Sequence, residues 1–423
     1  NKKITLKNKL LSIGLLTGLI GIFLSGCTPT SMQNQKNTAI SSMSKPIMRD
    51  QKLLAPNYYL ENFPEQVALL LPLSGDYKRE GESIQNGFLS AHYSLRKNEP
   101  RINKIRIYDT QKFQNSENAY NQAIEDGADF VVGPLLQNSV NDLAKKIAFR
   151  TPILTLNSLE DNRSLFGMYQ FSLSSIDEAI STSNKVIIDK NKYGVIIAPD
   201  NEWGHQLNEI YTSTLESMGG IILDSQFYSQ NEKDFTFELK DLLGISFSEK
   251  RYNRLSANLN KNFSFSPRRR QDVDFIFLVA ADTTSAKLLK SQLNYHLSGD
   301  EILPIYSTST IYSYNSNLND LNDVIFTDAP WVKDQQIWLK NLPLILRQYW
   351  PGDAIQSRQN AMGYDAYFLV AALNSLKNNS MQELNGATGQ LYMEEDGRIR
   401  RRLAWAQLIN GHPEVQEQEK REK

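Results

Sequence analysis

Cysteine occurs once in 423 residues and histidine four times. One thiol excludes a disulfide framework and a Cys-based zinc site, and four scattered histidines supply no His-rich metal site. An excess of either charge is also missing: 46 Lys and Arg stand against 47 Asp and Glu, a formal net charge of −1. A general nucleic-acid binder needs a basic surface, so the charge argues against that class, and no nucleic-acid partner is expected. The chain has no Gly-x-Ser-x-Gly, His-Glu-x-x-His or phosphate loop. Ser42-Met-Ser-Lys45 matches an acylating Ser-x-x-Lys pair, but it lacks the companion Ser-Asp-Asn or Lys-Thr-Gly. Nothing among the 47 acids marks a pair for sugar hydrolysis, and His205 at a helix start reads as a surface histidine. No catalytic residue and no cofactor are expected.

What is present begins with a targeting signal. Lys2, Lys3, Lys7 and Lys9 precede Leu10–Leu24, an uncharged stretch of 15 residues. That is short of the roughly 20 residues a membrane-spanning helix needs, and it fits a secretory signal. It ends in Leu24-Ser25-Gly26-Cys27, which resembles the bacterial lipoprotein box, with Cys27 as the acylated residue. Two acyl chains or more give stable anchoring where one is marginal. Thr28 rather than Asp, by resemblance to sorted bacterial lipoproteins, implies the periplasmic face of the outer membrane. Removal of residues 1–26 costs four lysines and no acid, leaving 42 basic against 47 acidic residues, a side-chain charge of −5.

Residues 27–64 are rich in Ser, Thr, Asn, Gln and Pro and read as a flexible tether. A coil of that length spans roughly 35 Å and reaches about 120 Å extended. A body over 65–412 and a charged tail over 413–423 complete the expected organisation.

The body alternates strands and helices. Strands are expected at Val67–Leu71, Lys104–Tyr108, Phe130–Val132 and Pro152–Leu156, with helices over 80–95, 116–125 and 137–148. The pattern restarts after Ser174, with helices over 176–189, 203–218, 234–243 and 283–295 and strands over 193–198, 220–226, 273–280 and 303–307. Such β-α steps imply two α/β lobes, each a parallel sheet flanked by helices. Lobe one is expected over about 65–170 plus part of 308–412, and lobe two over about 175–307. Further on come a strand at 324–326, a helix over 359–376 and a hairpin whose arms, 388–393 and 399–409, flank Glu394-Glu-Asp-Gly-Arg398. Ser246–Gln271 breaks the rhythm and holds Lys250, Arg251, Arg254, Lys261, Arg268, Arg269 and Arg270. It reads either as a solvated loop or as a contact patch for an acidic partner. Arg398, Arg400, Arg401 and Arg402 form a second basic cluster.

The segment order resembles the type I periplasmic binding protein fold. Several stretches resemble the penicillin-binding-protein activator lipoproteins, the LppC/LpoA family: Val67-Ala-Leu-Leu-Leu-Pro-Leu-Ser-Gly75, Gly87-Phe-Leu89, Phe130-Val-Val-Gly-Pro-Leu135, Ile197-Ala-Pro199, Arg268–Ala280 and Asp396–Ala406. The resemblance implies a lipoprotein that binds a bifunctional penicillin-binding protein and stimulates peptidoglycan synthesis. Better-known members carry a domain of helical repeats first; with fewer than 40 residues between Cys27 and the first strand, none is expected here.

In this fold, ligands sit between the lobes at the carboxyl ends of strands. The cleft candidates are Ser74, Gly75, Gly133, Pro134, Asn157 and Ser158 from lobe one, and Asp200, Asn201, Trp203 and Asp282 from lobe two. They read as groups that fix a small polar ligand, such as an amino acid or wall fragment; the alternative is that Ser74-Gly75 is only a turn and Asp200-Asn201 only caps the next helix. The partner-contact candidates are Arg268, Arg269, Arg270, Arg398, Arg400 and Arg401.

Overall fold

A computed structural model of the chain describes residues 52–53, 63–96, 103–145, 148–161, 163–259, 261, 263–297, 302–313, 316–330, 342–351, 357–379 and 382–415. The chain divides into two units, 1–42 and 43–423. The expected signal, Cys27, the tether apart from 52–53 and 63–64, and residues 416–423 lie outside the described residues. The second unit is built as follows.

After a short β1 (Lys52–Leu53) come β2 (Gln66–Leu71), α1 (Lys78–Arg96), β3 (Lys104–Asp109), α2 (Ser116–Glu125), β4 (Phe130–Val132), α3 (Gln137–Leu143), β5 (Ala148–Thr155) and β6 (Phe166–Phe171). The strands pair in parallel in the order β3-β2-β4-β5-β6. Every residue of Val67–Leu71 is fully buried, because helices cover both faces of a parallel sheet and leave no side for polar residues.

The pattern then repeats through α4 (Ser175–Ile188), β7 (Tyr193–Pro199), α5 (Glu202–Ser217), β8 (Ile221–Tyr228), α6 (Thr236–Leu242), α7 (Ile245–Leu259), β9 (Phe275–Leu278), α8 (Thr283–Leu297), β10 (Ile305–Ser307) and β11 (Ile325–Asp328). The order β8-β7-β9-β10-β11, again parallel, repeats the winding of the first sheet. Each sheet carries an apolar cluster on either face, so the fold is two doubly wound α/β lobes.

The chain then returns to the first lobe. Helices α9 (Leu342–Tyr349) and α10 (Arg358–Asn378) pack on α1. Strands β12 (Gln382–Asn385), β13 (Gln390–Met393) and β14 (Arg398–Arg402) lengthen its sheet to β1-β12-β13-β14-β6-β5-β4-β2-β3. Leu403 carries the backbone across to the second sheet, where β15 (Ala404–Ile409) pairs antiparallel with β11, and β16 (His412–Val415) with β15. Among the described residues no helix is long and apolar enough to cross a membrane.

Several segments differ from the sequence expectation, which also lacked α9 and β12. Helix α3 stops at Leu143, and its expected end, Ala148, already opens β5. The strand β6 was not expected, because Phe166-Gly-Met-Tyr-Gln-Phe171 shows neither clean alternation nor a continuous apolar run. The expected rhythm break at Ser246–Gln271 contains α7, whose inward face is small: only Ile245 and Ser248 are buried. The second arm of the expected hairpin is two strands split at Leu403, one in each sheet. The expected tail begins inside β16, where Val415 pairs with Ala406.

Contact between α1 and α10 depends on glycine. A Cβ on Gly87 would lie 1.9 Å from the Asn360 carbonyl oxygen, and one on Gly363 2.0 Å from that of Ile84. Gly→Ala in an open helix gains about 1 kcal/mol. Here backbone meets backbone, so the clash outweighs propensity. Gly363→Ala is expected to destabilise the protein by about 1–3 kcal/mol, seen as a lower urea midpoint with an unchanged slope. Unchanged or raised stability would contradict the close approach.

Candidate functional site

In a sheet wound this way, ligand sites form where the strand order reverses. That point lies between β2 and β4 in lobe one and between β7 and β9 in lobe two. Ser74 and Gly75 follow β2, Gly133 and Pro134 follow β4, and Asn157 and Ser158 follow β5. Asp200, Asn201 and Trp203 follow β7, and Asp282 follows β9. The winding therefore places the cleft candidates at or beside the reversal points.

Their partners lie within their own lobes. The Ser74 hydroxyl donates to Asp109 Oδ2 (2.8 Å) and the Leu73 N–H to Oδ1 (2.9 Å). Burial pushes the Asp109 carboxyl up, but these donors outweigh it and hold the pKa below the ordinary value. Gly75 turns at φ +74°, and Gly133 at φ +100° abuts the Leu70 carbonyl; both turns require the freedom of glycine. Gly133 N–H donates to Leu154 O (2.8 Å), and Pro134 O accepts from Leu156 N–H (3.0 Å). Asn157 Nδ2 donates to Leu135 O (3.2 Å), and the Ser158 and Ser172 hydroxyls lie 3.0 Å apart. In lobe two, Asn201 Oδ1 caps α5 by accepting from Gly204 N–H (2.8 Å), and Asp282 Oδ1 caps α8 by accepting from Ser285 N–H (2.8 Å). Asp200 pairs with His205 Nε2 at 2.9 Å. Trp203 is half-buried against the α4–α5 face of the sheet. Asn201 and Asp282 thus act as helix caps, while Ser74 and Asn157 tie neighbouring loops together and Asp200 pairs with His205.

The most heavily charged interior lies where the chain passes between the sheets. Asp177, in the first turn of α4, is 1% exposed. Arg401 Nε donates to its Oδ2 (3.2 Å), and Arg400 Nη1 lies 3.7 Å from Oδ1. Arg400 Nε donates to Glu394 (3.0 Å), and Arg401 Nη2 to Ser174 O (3.2 Å). One residue on, half-buried Glu178 accepts from the Ser309 hydroxyl at 2.8 Å. Arg358, at the start of α10, grips Asp328 through Nε (2.8 Å) and Nη2 (2.7 Å), and donates to Ser309 O (2.7 Å). Ser181 O accepts from Trp405 Nε1 (2.8 Å), and its hydroxyl accepts from Leu403 N–H (3.2 Å). The first two turns of α4 therefore hold β14, the crossing and the loop after β10 together.

This network corrects part of the partner-contact reading. Arg400 and Arg401 are 9% and 5% exposed, and Arg269 is 6% exposed. Arg398 pairs with Glu394 and Asp396, and Arg270 makes a two-pronged pair with Asp272 (2.7 and 2.9 Å). These arginines bind their own chain because buried or half-buried guanidinium must be paired. Arg268 alone of the six stays exposed. Among the described residues no three His, Cys, Asp or Glu side chains gather as a metal would require.

A family model described as "LppC putative lipoprotein" matches residues 55–411. A curated relative from Vibrio antiquarius, named penicillin-binding protein activator LpoA, is 24% identical over 351 residues, 81% of this chain and 57% of the relative. The chain thus spans less than two thirds of the relative's length. The solved LpoA C-domain from Haemophilus influenzae, described as a regulator of PBP1A, superposes with a TM-score of 0.63 at 24% identity, covering 83% of this chain and 99% of that domain. A "putative branched-chain amino acid ABC transporter" from Chromobacterium violaceum superposes at 0.58 with 19% identity, over 81% of this chain and 100% of that one. The two superpositions establish a periplasmic-binding-protein-like fold.

Burial pushes the Asp177 carboxyl up to about 6, against the pull of Arg401 and Arg400. The fold thus favours its protonated form relative to the unfolded chain, and this group withdraws stability as pH rises through about 4 to 6. Arg401→Met strands the carboxylate and should cost about 3–5 kcal/mol near pH 8. The loss should shrink at pH 5, where Asp177 takes up a proton, when both proteins are unfolded in urea. A loss independent of pH would refute the ionic role.

Proposed function

The chain belongs to the LppC lipoprotein family, and from that premise we propose that it is an outer-membrane lipoprotein that binds a bifunctional penicillin-binding protein and activates peptidoglycan synthesis without performing chemistry itself. The observation that carries this reading is the family match across 55–411, the whole binding-protein-like body, joined to relatives named as activators. Cys27 anchors the chain through lipid, and the tether lets the body stand off the membrane by tens of ångströms. Activation then requires only that the body bind the productive state of the synthase better than the idle one.

The internal bonding of the cleft candidates supports this reading over a receptor for a small polar ligand. Asn201 and Asp282 each hold a helix N-terminus, and Ser74 and Asn157 each tie their loop to a neighbouring one, at Asp109 and Leu135. A ligand would have to displace those bonds and match them.

The test adds the purified full chain to the bifunctional synthase encoded in the same genome and follows glycan polymerisation and crosslinking. A several-fold rise in either rate is expected. Absence of both binding and stimulation would refute the proposal. Labelled palmitate should mark the wild-type chain and not Cys27→Ser; labelling of neither would remove the anchor from the account.

A further inference from the structure

Helix α7 and the segment that returns beside it present a surface that the lobe does not use. The side of α7 bearing Ser246, Glu249, Lys250 and Asn253 lines a groove of about 500 Å³ shared with α6, together with Glu232, Asp234, Glu238 and Asp241. That groove is acidic. The residues at 247, 251, 254, 255, 258 and 259 follow helical spacing on a different side, and all six are exposed. They are Phe247, Arg251, Arg254, Leu255, Asn258 and Leu259. Phe263 and Phe265 return alongside, and these five apolar side chains are each 37–56% exposed. The two arms are braced: Tyr252 stacks on Phe265 with centroids 4.2 Å apart and planes 13° apart, and its hydroxyl donates to Phe263 O (3.1 Å).

The charge on this unit is one-sided. Lys250, Arg251, Arg254, Lys261 and Arg268 are exposed, and among the described residues Arg251, Arg254, Lys261 and Arg268 form no ion pair. Glu249 is occupied by Lys240 at 2.6 Å. A basic, aromatic-bearing finger on a chain of net charge −1 is the composition of an interface centre, where Arg and rigid aromatics dominate. A membrane-surface helix instead segregates a broad apolar face from its cations. Here Arg251 and Arg254 fall within the stripe that holds Phe247, Leu255 and Leu259, so the face suits an acidic, apolar-bearing protein segment rather than hydrocarbon.

We propose that the outer face of α7, with Arg251, Arg254, Leu255 and Leu259 at its centre, docks an acidic segment of the synthase; this rests on the function proposed above. The test titrates the purified synthase with the full chain at low and high salt. Arg251→Glu with Arg254→Glu should weaken binding about tenfold or more at low salt and less at high salt, as for a solvent-accessible charge contact that salt screens. Leu255→Ser with Leu259→Ser should weaken it at both. Arg79→Glu with Lys145→Glu, an equal charge change elsewhere, should leave binding intact. Melting temperatures are measured for every variant, and for any that unfolds a photo-crosslinker at Leu255 replaces the titration, with a covalent adduct to the synthase expected. Wild-type binding that all finger variants retain, or no adduct, overturns the docking face and leaves the function standing. No synthase binding by the wild type overturns the function and the docking face together. Variants that keep synthase binding but lose binding to phosphatidylethanolamine–phosphatidylglycerol vesicles would reassign the finger to the membrane and overturn the proposal.

Discussion

Everything in this body hangs on a carboxylate buried between two guanidinium groups. Asp177 belongs to the second lobe's first helix, and Arg400 and Arg401 belong to the first lobe's sheet. Taking three charges out of water is costly and is offset only while they stay together. Moving one lobe far from the other would strand at least one charge in a dry interior. Arg358 of the first lobe's α10 and Asp328 of the second lobe's β11 make a second ion pair between the lobes close by. The crossing therefore behaves less like a swivel than like a set of interlocked charges.

That constraint changes what a binding-protein fold can do. Its usual service is to close over a small molecule, with loops at the reversal of strand order supplying the contacts. Here Ser74, Asn157, Asn201 and Asp282 bond within their own lobes, to a neighbouring loop or to a helix N-terminus. The outside is unevenly charged: acids collect around the α6–α7 groove, and cations with no ion pair among the described residues lie on the far side of α7. A body with a patterned surface suits a regulator that touches another protein.

The alternation of elements could be read from the chain because buried parallel strands leave long apolar runs. Val67–Leu71 and the Phe275–Leu278 segment announce themselves, and the caps Asn115, Asn201 and Ser357 stand where the helical spacing starts. The charged interior could not be read. Arg401 and Asp177 are 224 residues apart, and no local pattern tells a paired arginine from a solvated one; the usual prior for a run of arginines is a wet surface. The helix α7 escaped for a related reason. Its inward face is two residues wide, so its sequence has the composition of a loop. Gly87 and Gly363 were equally silent, since a glycine in a helix is normally only a weak point.

The decisive question is whether the lobes move. Spin labels at Tyr77 in lobe one and Tyr295 in lobe two, both exposed, placed in a Cys27→Ser background, report the distance between them. The account predicts one distance, unchanged to within about 2 Å by millimolar amino acids or muropeptides. A ligand-dependent shortening beyond that would contradict it and restore the cleft as the working part.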